Sequence, residues 1–106
     1  MLQSNEDIDN FIKEDGFKLL LISSPICPHC IKADELLKKS PNTLNVCFNH
    51  IGVCYFNNAK EFCKKNGVSV TPTFIVYDNE GNEVSRISYT PKDQDEFFEW
   101  ISSAVI

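Results

Sequence analysis

The sequence has no long apolar run and no excess of basic residues, and these two absences exclude whole classes of function. Its apolar runs end after a few residues, as at residues 19–22, whereas a membrane-spanning helix needs roughly 20. The net charge is −5, whereas nucleic-acid binding requires clusters of Lys and Arg to contact the phosphates. Residues 1–7 are acidic where a secretory signal would be basic. We therefore expect a cytoplasmic protein with no membrane or nucleic-acid partner.

The sequence also lacks internal repeats, a linker and low-complexity segments. Its 106 residues suffice for one hydrophobic core but not for two. We therefore expect residues 1–106 to form a single domain.

The chain does not have the even number of cysteines that is usual in a small secreted domain held by disulfides. It has five, and two of them, Cys27 and Cys30, form a C-x-x-C motif. The odd count fits a reducing compartment with one reactive pair. We expect Cys47, Cys54 and Cys63 to pack as small hydrophobic residues.

The pattern of apolar residues predicts alternating helices and strands followed by a hairpin. In the second helix, Ile31, Leu36 and Leu37 are expected to face inward. Residues 42–49 fit either a strand or a helix, and His50 is expected in a loop. The predicted helices are residues 4–15, 31–39, 59–66 and 92–104, and the predicted strands are residues 17–23, 51–56, 73–77 and 83–89. This order predicts an α/β fold with a mixed sheet and helices on both faces.

The C-x-x-C motif lies where the first strand gives way to the second helix, and this position suits thiol–disulfide exchange. Cys27 at the start of the helix would have its thiolate stabilised by unpaired amides and the helix dipole. Cys30, one turn into the helix, would be more buried and would release the product as the resolving thiol. Pro28 fits the first turn, and His29 adds a potential cation or N–H donor beside the thiolate.

A zinc site is the main alternative for the C-x-x-C pair. A structural zinc ion takes four ligands, usually including a second C-x-x-C or a His pair. Here Cys47, Cys54, Cys63 and His50 do not form such a second pair, so redox chemistry is favoured and no metal is expected.

Pro72 directly precedes an apolar strand, where proline cannot donate a hydrogen bond to the sheet. A cis Thr71–Pro72 bond would explain its position, although a trans proline in an ordinary turn is the more common case. The sequence around it leaves both alternatives open.

Together, these residues resemble the thioredoxin superfamily over nearly the whole chain. That family has a C-x-x-C at a strand–helix junction and, about forty residues later, a cis-proline that opens a strand before a hairpin and a final helix. The resemblance implies the thioredoxin fold, with a central mixed sheet of four to five strands flanked by helices on both faces. It also implies a thiol–disulfide oxidoreductase that needs no cofactor beyond its own redox-active Cys27–Cys30 disulfide.

The resemblance further implies how substrates bind. Thr71–Pro72 would be cis and would pack against the cysteines, and the Thr71 backbone would pair with an extended substrate. Ile26, Pro28 and Val70 would form a shallow apolar docking surface. The implied partners are protein disulfides and an upstream reductase, with the chain acting as a monomer.

Three departures from the family pattern bear on activity. Ile26 replaces the usual Trp, and Pro28-His29 replaces Gly-Pro. Pro-His is the dipeptide of the oxidase DsbA, whose thiol pKa is strongly lowered, so we expect a potential above that of thioredoxin. This chain is too short to contain the inserted helical domain of DsbA, so the resemblance does not imply an oxidase role. Leu21 stands where thioredoxins have a buried Asp that accepts the proton of the resolving thiol.

Two alternatives to a thioredoxin-like enzyme stay open. One is a glutaredoxin-like, glutathione-dependent reductase, although residues 74–83 lack the Gly-Gly pair of the glutathione site. The other is a non-catalytic binding module in which the C-x-x-C pair holds a metal between two chains or forms a structural disulfide.

Overall fold

The computed structural model describes residues 2–39 and 48–105, apart from the side chain of Asn49. The helices are α1 (Asn5–Ile12), α2 (Pro28–Lys39), α3 (Lys60–Lys65) and α4 (Gln94–Ala104), and the strands are β1 (Phe17–Ser23), β2 (Phe48–Tyr55), β3 (Thr73–Tyr77) and β4 (Glu83–Ile87). A single 3₁₀ turn, Phe56–Asn58, joins β2 to α3.

The strands form one mixed sheet in the order β2-β1-β3-β4. β1 is parallel to β2 and antiparallel to β3, and β4 is antiparallel to β3. The predicted α/β class with a mixed sheet is confirmed.

β1 lies inside the sheet, and its alternating side chains pack into apolar clusters on the two opposite faces of the sheet. Leu20 and Ile22 pack with residues of α1 and α3 on one face. Leu19 and Leu21 pack with residues of α2 and α4 on the other face. Because both faces are covered by helices, β1 is apolar almost throughout.

Local hydrogen bonds close both ends of α1. The Ser4 hydroxyl caps the helix by accepting a hydrogen bond from the Asp7 amide at 3.2 Å. The prediction continued the helix to residue 15, but α1 ends at Ile12. At this end the Glu14 amide donates to the Phe11 carbonyl at 3.2 Å, an i→i+3 bond that tightens the last turn and closes the helix.

Two predictions about single side chains are wrong. His50 lies in β2 rather than in a loop, paired in register with Lys18 of β1. Ile31 is 62% exposed, because the inward positions of α2 are set by Cys30 and Ala33 and Ile31 lies about 100° around the helix from Cys30. Leu36 and Leu37 face inward, as predicted.

Several boundaries of helices and strands also differ from the predicted ones. β2 begins at Phe48 instead of residue 51, and β4 ends at Ile87 instead of residue 89. α4 begins at Gln94 instead of residue 92, because the Asp93 carboxylate caps it by accepting a hydrogen bond from the Glu96 amide at 2.9 Å. The undecided segment 42–49 and Cys47 fall largely outside the described residues, except that Phe48 and Asn49 belong to β2.

In the described parts of the chain, no helix is both long and apolar enough to cross a membrane.

Candidate active site

The C-x-x-C pair lies at the carboxyl end of β1, where the chain turns into α2. β1 ends at Ser23 and α2 begins at Pro28, so Cys27 occupies the position just before the first helical residue. The Cys27 amide donates to the Ser24 carbonyl at 3.3 Å, and the Cys30 amide donates to the Cys27 carbonyl at 3.1 Å. These two turns place both cysteines at the open amino end of the helix.

The two thiols differ in their access to solvent. Both are free, and Cys27 is partly exposed, whereas Cys30 is 3% exposed. An incoming disulfide can therefore reach Cys27 more readily than Cys30.

The pKa of the Cys27 thiol lies below its ordinary value. The main cause is a hydrogen bond with the Cys30 thiol, and the backbone N–H groups of Cys30 and His29 act in the same direction. The Thr71 side chain contributes as well, and partial burial opposes these effects. The lowered pKa increases the thiolate fraction of Cys27 near neutral pH.

The pKa of the Cys30 thiol shifts the other way. Burial raises it most, and the hydrogen bond with Cys27 raises it further. The buried Cys30 thiol therefore keeps its proton to a higher pH than the partly exposed Cys27 thiol.

The segment before β3 lies against Cys27. The Thr71–Pro72 bond is cis, and Pro72 is buried. The Cys27 thiol donates to the Thr71 carbonyl over 3.7 Å. The Thr73 hydroxyl donates to the Val70 carbonyl at 2.8 Å, which closes the turn. The structure thus brings Thr71 beside the cysteine pair although they are far apart in sequence.

An apolar surface surrounds the exposed sulfur. Ile26 is 89% exposed and Val70 is 49% exposed, and Pro28 is exposed between the cysteines. These three residues were expected to form a docking surface, and each presents its side chain to solvent.

Sequence reasoning missed one contact of the site. The Thr90 hydroxyl, beyond β4, donates to the His29 carbonyl at 3.0 Å, which ties this segment to the active-site turn. The preceding Tyr89 is an exposed aromatic residue. No periodicity or motif signals a contact between residues 61 positions apart. The side chain of His29 is exposed, and its backbone supplies the contacts described here.

The position that holds a carboxylate in thioredoxins is apolar here. Leu21 is fully buried and packs with Ala33, Leu36 and Phe74 among others. Nothing at this position can accept a proton from Cys30.

Two of the other cysteines lie in the core, as predicted. Cys54 and Cys63 are buried in the same apolar cluster. Burial, helped by the neighbouring Cys63, raises the pKa of Cys54 to about 11, and burial also raises the pKa of Cys63. Both are therefore poor nucleophiles at neutral pH.

Across residues 2–39 and 48–105, no group of three or more His, Cys, Asp or Glu side chains could hold a metal ion.

Comparison with known proteins places this geometry in a family. The sequence profile of the family described as "Thioredoxin-like domain" matches residues 4–104. No curated protein sequence matches the chain.

Three solved structures illustrate the likeness of fold. Thioredoxin from Plasmodium falciparum has a TM-score of 0.80 at 19% identity, over 95% of this chain and 94% of that one. Thioredoxin from Fasciola hepatica has a TM-score of 0.79 at 18% identity, over 97% and 96%. Thioredoxin from Malassezia sympodialis has a TM-score of 0.79 at 14% identity, over 98% and 88%. At these sequence identities, the structural similarity establishes the fold but not the function. The fold and the C-x-x-C pair together support thiol–disulfide oxidoreductase chemistry as a class.

Proposed function

We propose that this chain, which belongs to the family of thioredoxin-like domains, exchanges disulfides with protein substrates through Cys27 as nucleophile and Cys30 as resolving thiol. One observation carries the proposal. A partly exposed thiol of lowered pKa lies at a helix start, hydrogen-bonded to a buried thiol of raised pKa. This asymmetry matches the two successive steps of disulfide exchange.

In the first step, the Cys27 thiolate attacks one sulfur of a substrate disulfide. A bond forms between Cys27 and that sulfur, and the second substrate sulfur leaves as a thiolate. In the second step, Cys30 loses its proton and attacks Cys27. The Cys27–Cys30 bond forms, the bond to the substrate breaks, and the substrate leaves with both sulfurs reduced. The reverse sequence would oxidise a dithiol substrate.

Thr71 is the proposed backbone partner of the substrate. Its carbonyl accepts a hydrogen bond from the Cys27 thiol. Once Cys27 is bonded to a substrate sulfur, that thiol hydrogen is gone, and the carbonyl can accept from an extended substrate segment instead. Pro72 would support this segment, and Ile26, Pro28 and Val70 would contact apolar substrate side chains.

The remaining parts of the proposal concern the cellular setting. We propose a monomer that works in the cytoplasm with no cofactor beyond the Cys27–Cys30 disulfide, recharged by an upstream reductase. The buried free thiols of Cys54 and Cys63 support a reducing compartment.

Turnover of a protein disulfide tests the proposal. Catalytic amounts of the protein should accelerate the reduction of insulin by excess dithiothreitol. Cys27→Ser should abolish the acceleration. Cys63→Ala, which removes a buried thiol elsewhere, should leave it unchanged. If the wild type and Cys27→Ser behave alike, the proposed function is wrong.

The same preparation separates the two alternatives. The first assay measures reduction of a glutathione mixed disulfide with glutathione as the sole reductant. A rate above that measured with protein disulfides would favour a glutaredoxin-like reductase. About half a zinc ion per chain in protein purified under reducing conditions, lost in Cys27→Ser, would favour a metal site shared by two chains.

A further inference from the structure

A cavity of about 220 Å³ with both polar and apolar lining residues opens beside the resolving cysteine. Its walls come from the end of β1, the segment after it, the start of α2 and the end of β2. Residues that line it include Ser23, Ser24, Cys30, Asp34, Val53 and Tyr55. The cavity therefore joins the buried thiol to hydroxyl groups and one carboxylate.

Cys30 needs a proton acceptor for the second step of exchange. Burial raises the pKa of its thiol, so deprotonation is harder here than in water. The neighbouring strand offers no acceptor, because Leu21 is fully buried in an apolar cluster. An acceptor must therefore reach Cys30 from another direction.

Asp34 lies one helical turn after Cys30 on the same face of α2. Side chains on a helix lean toward its amino end, so the Asp34 carboxylate leans back toward the turn that holds Cys30. Among the described residues that line the cavity, Asp34 is the one carboxylate.

The same carboxylate forms an ion pair on the helix surface. Asp34 Oδ2 lies 3.0 Å from Lys38 Nζ, one turn further along the helix. The pKa of Lys38 is raised, first by this hydrogen bond and then by the charge of Asp34, so the ammonium stays protonated through the neutral range. The pair engages Oδ2, and Oδ1 provides a second acceptor.

Water can bridge the gap between the two groups. The cavity exceeds the roughly 30 Å³ that one water molecule occupies in the liquid. Ser23, Ser24 and Tyr55, each of which carries a hydroxyl group, are among the residues that line the cavity, and a bound water requires such polar partners.

We propose that Asp34 accepts the proton of Cys30 through water in this cavity during the resolving step. The inference rests on the proposed function. The Cys30 thiol gives its proton to a cavity water, which passes one to the Asp34 carboxylate. The Cys30 sulfur then bonds to Cys27, and the substrate sulfur leaves with the electron pair of the broken bond. The proton on Asp34 afterwards returns to solvent.

The charged and titratable groups around this route are few. On α2 they are Cys30, Lys38 and the neighbouring Glu35, and on β2 the group is Tyr55. β1 contributes the neutral hydroxyl of Ser23. Glu35 is exposed and is not among the residues that line the cavity, so it serves as a matched control.

The test follows the two steps of exchange separately. Reduced protein is mixed in a stopped-flow instrument with a chromogenic aromatic disulfide, which releases one coloured thiolate per step. The first release depends on reagent concentration, whereas the second is unimolecular and reports the attack of Cys30. Both rates are measured as a function of pH for the wild type, Asp34→Asn, Asp34→Glu and Glu35→Gln.

Asp34→Asn should slow the second release at neutral pH by at least about tenfold, toward the range typical of general acid–base catalysis. Its pH midpoint should rise, because solvent hydroxide must then remove the proton. The first release should stay within about twofold of the wild type. Asp34→Glu should restore part of the rate, and Glu35→Gln, which removes the same charge, should change neither step.

Two results would overturn the inference. One is that the second step in Asp34→Asn has the same rate and the same pH profile as the second step in Glu35→Gln. The other is an equal slowing of both steps, which would indicate a structural role. If Cys30→Ser releases the second thiolate at the same rate as the wild type, that result would instead contradict the proposed function itself.

Discussion

Cys27 and Cys30 carry the same functional group, and their surroundings give them opposite acid strengths. Cys27 lies at the open end of α2, where a thiol and two amides stabilise its thiolate. Cys30 lies one turn deeper, where burial favours the neutral form. Their difference in reactivity therefore comes from position along one helical turn.

This difference predicts the pH dependence of alkylation. A lowered pKa means that Cys27 becomes a thiolate at a lower pH than an ordinary cysteine. The rate of its reaction with iodoacetamide should therefore reach half of its plateau value at a pH below the midpoint of an ordinary cysteine. The midpoint for Cys30 should lie above that of an ordinary cysteine. Cys54, with a pKa of about 11, should stay unreactive near neutral pH. Mass mapping of the alkylated peptides across pH provides the measurement. Equal midpoints for Cys27 and Cys30 would contradict the structure.

Lys18 is a second residue whose role depends on its surroundings. It is fully buried, and its ammonium donates to the Glu14 carbonyl at 2.5 Å and the Asp78 carbonyl at 2.7 Å. It thereby joins the segment before β1 to the turn after β3.

Replacing Lys18 should destabilise the fold. Lys18→Met keeps the length of the side chain but removes the donor for two carbonyls, which should lower the free energy of unfolding by about 1–3 kcal/mol. Urea denaturation measures the change, and the exposed Lys39→Met is the control. An unchanged midpoint for Lys18→Met would show that these hydrogen bonds contribute nothing net.

At the scale of elements, side-chain caps decide where helices begin. The Asp93 carboxylate accepts from the Glu96 amide at 2.9 Å and so starts α4 at Gln94. This helix supplies Phe97 and Ile101 to the core that also contains Leu21 and the inward face of α2.

Removing this cap should cost about 1 kcal/mol of unfolding free energy. Asp93→Ala is compared by urea denaturation with Asp95→Ala, which removes the same charge from the first turn without removing the cap. Both variants should retain disulfide exchange, because neither residue lies at the cysteine pair. Equal stability of the two would show that charge near the helix start matters and the cap does not.

The sequence predicts elements best where local pattern alone decides them. The bounds of β1 and β3 match the prediction, since both are short, nearly continuous apolar runs. The contact of Thr90 with His29 was not predicted, because the two residues are 61 positions apart. The end of α1 was not predicted either, because the apolar pattern does not show the hydrogen bond from the Glu14 amide to the Phe11 carbonyl that closes the helix. Asp34 gave no signal either, since a helical carboxylate is ordinarily a solvated surface residue.

For the molecule as a whole, the sheet and the apolar clusters on its two faces support the cysteine pair at one end of the sheet. β1 is buried almost throughout and ends at Ser23, so the turn that carries Cys27 directly follows a buried strand. The segments before β3 and after β4 reach the same end of the sheet and contact Cys27 and His29. The site therefore draws on three separate parts of the chain.

The stabilised Cys27 thiolate predicts the redox balance of the protein. Stabilising the reduced form makes the disulfide more oxidising, so the Cys27–Cys30 potential should lie above the roughly −270 mV of thioredoxin. Equilibration with glutathione buffers, followed by alkylation and mass analysis, gives the value. The double substitution Pro28→Gly with His29→Pro should lower it. A potential at or below about −270 mV would contradict the expectation.

The most direct test of the central claim is to trap the mixed disulfide with a protein substrate. Cys30→Ser and Cys27→Ser are each incubated with an oxidised substrate protein, quenched in acid and analysed by intact mass and peptide mapping. We predict a stable adduct on Cys27 in Cys30→Ser and little or none in Cys27→Ser. An adduct on Cys30 in Cys27→Ser, or no adduct in either variant, would contradict the assignment of Cys27 as the attacking thiol.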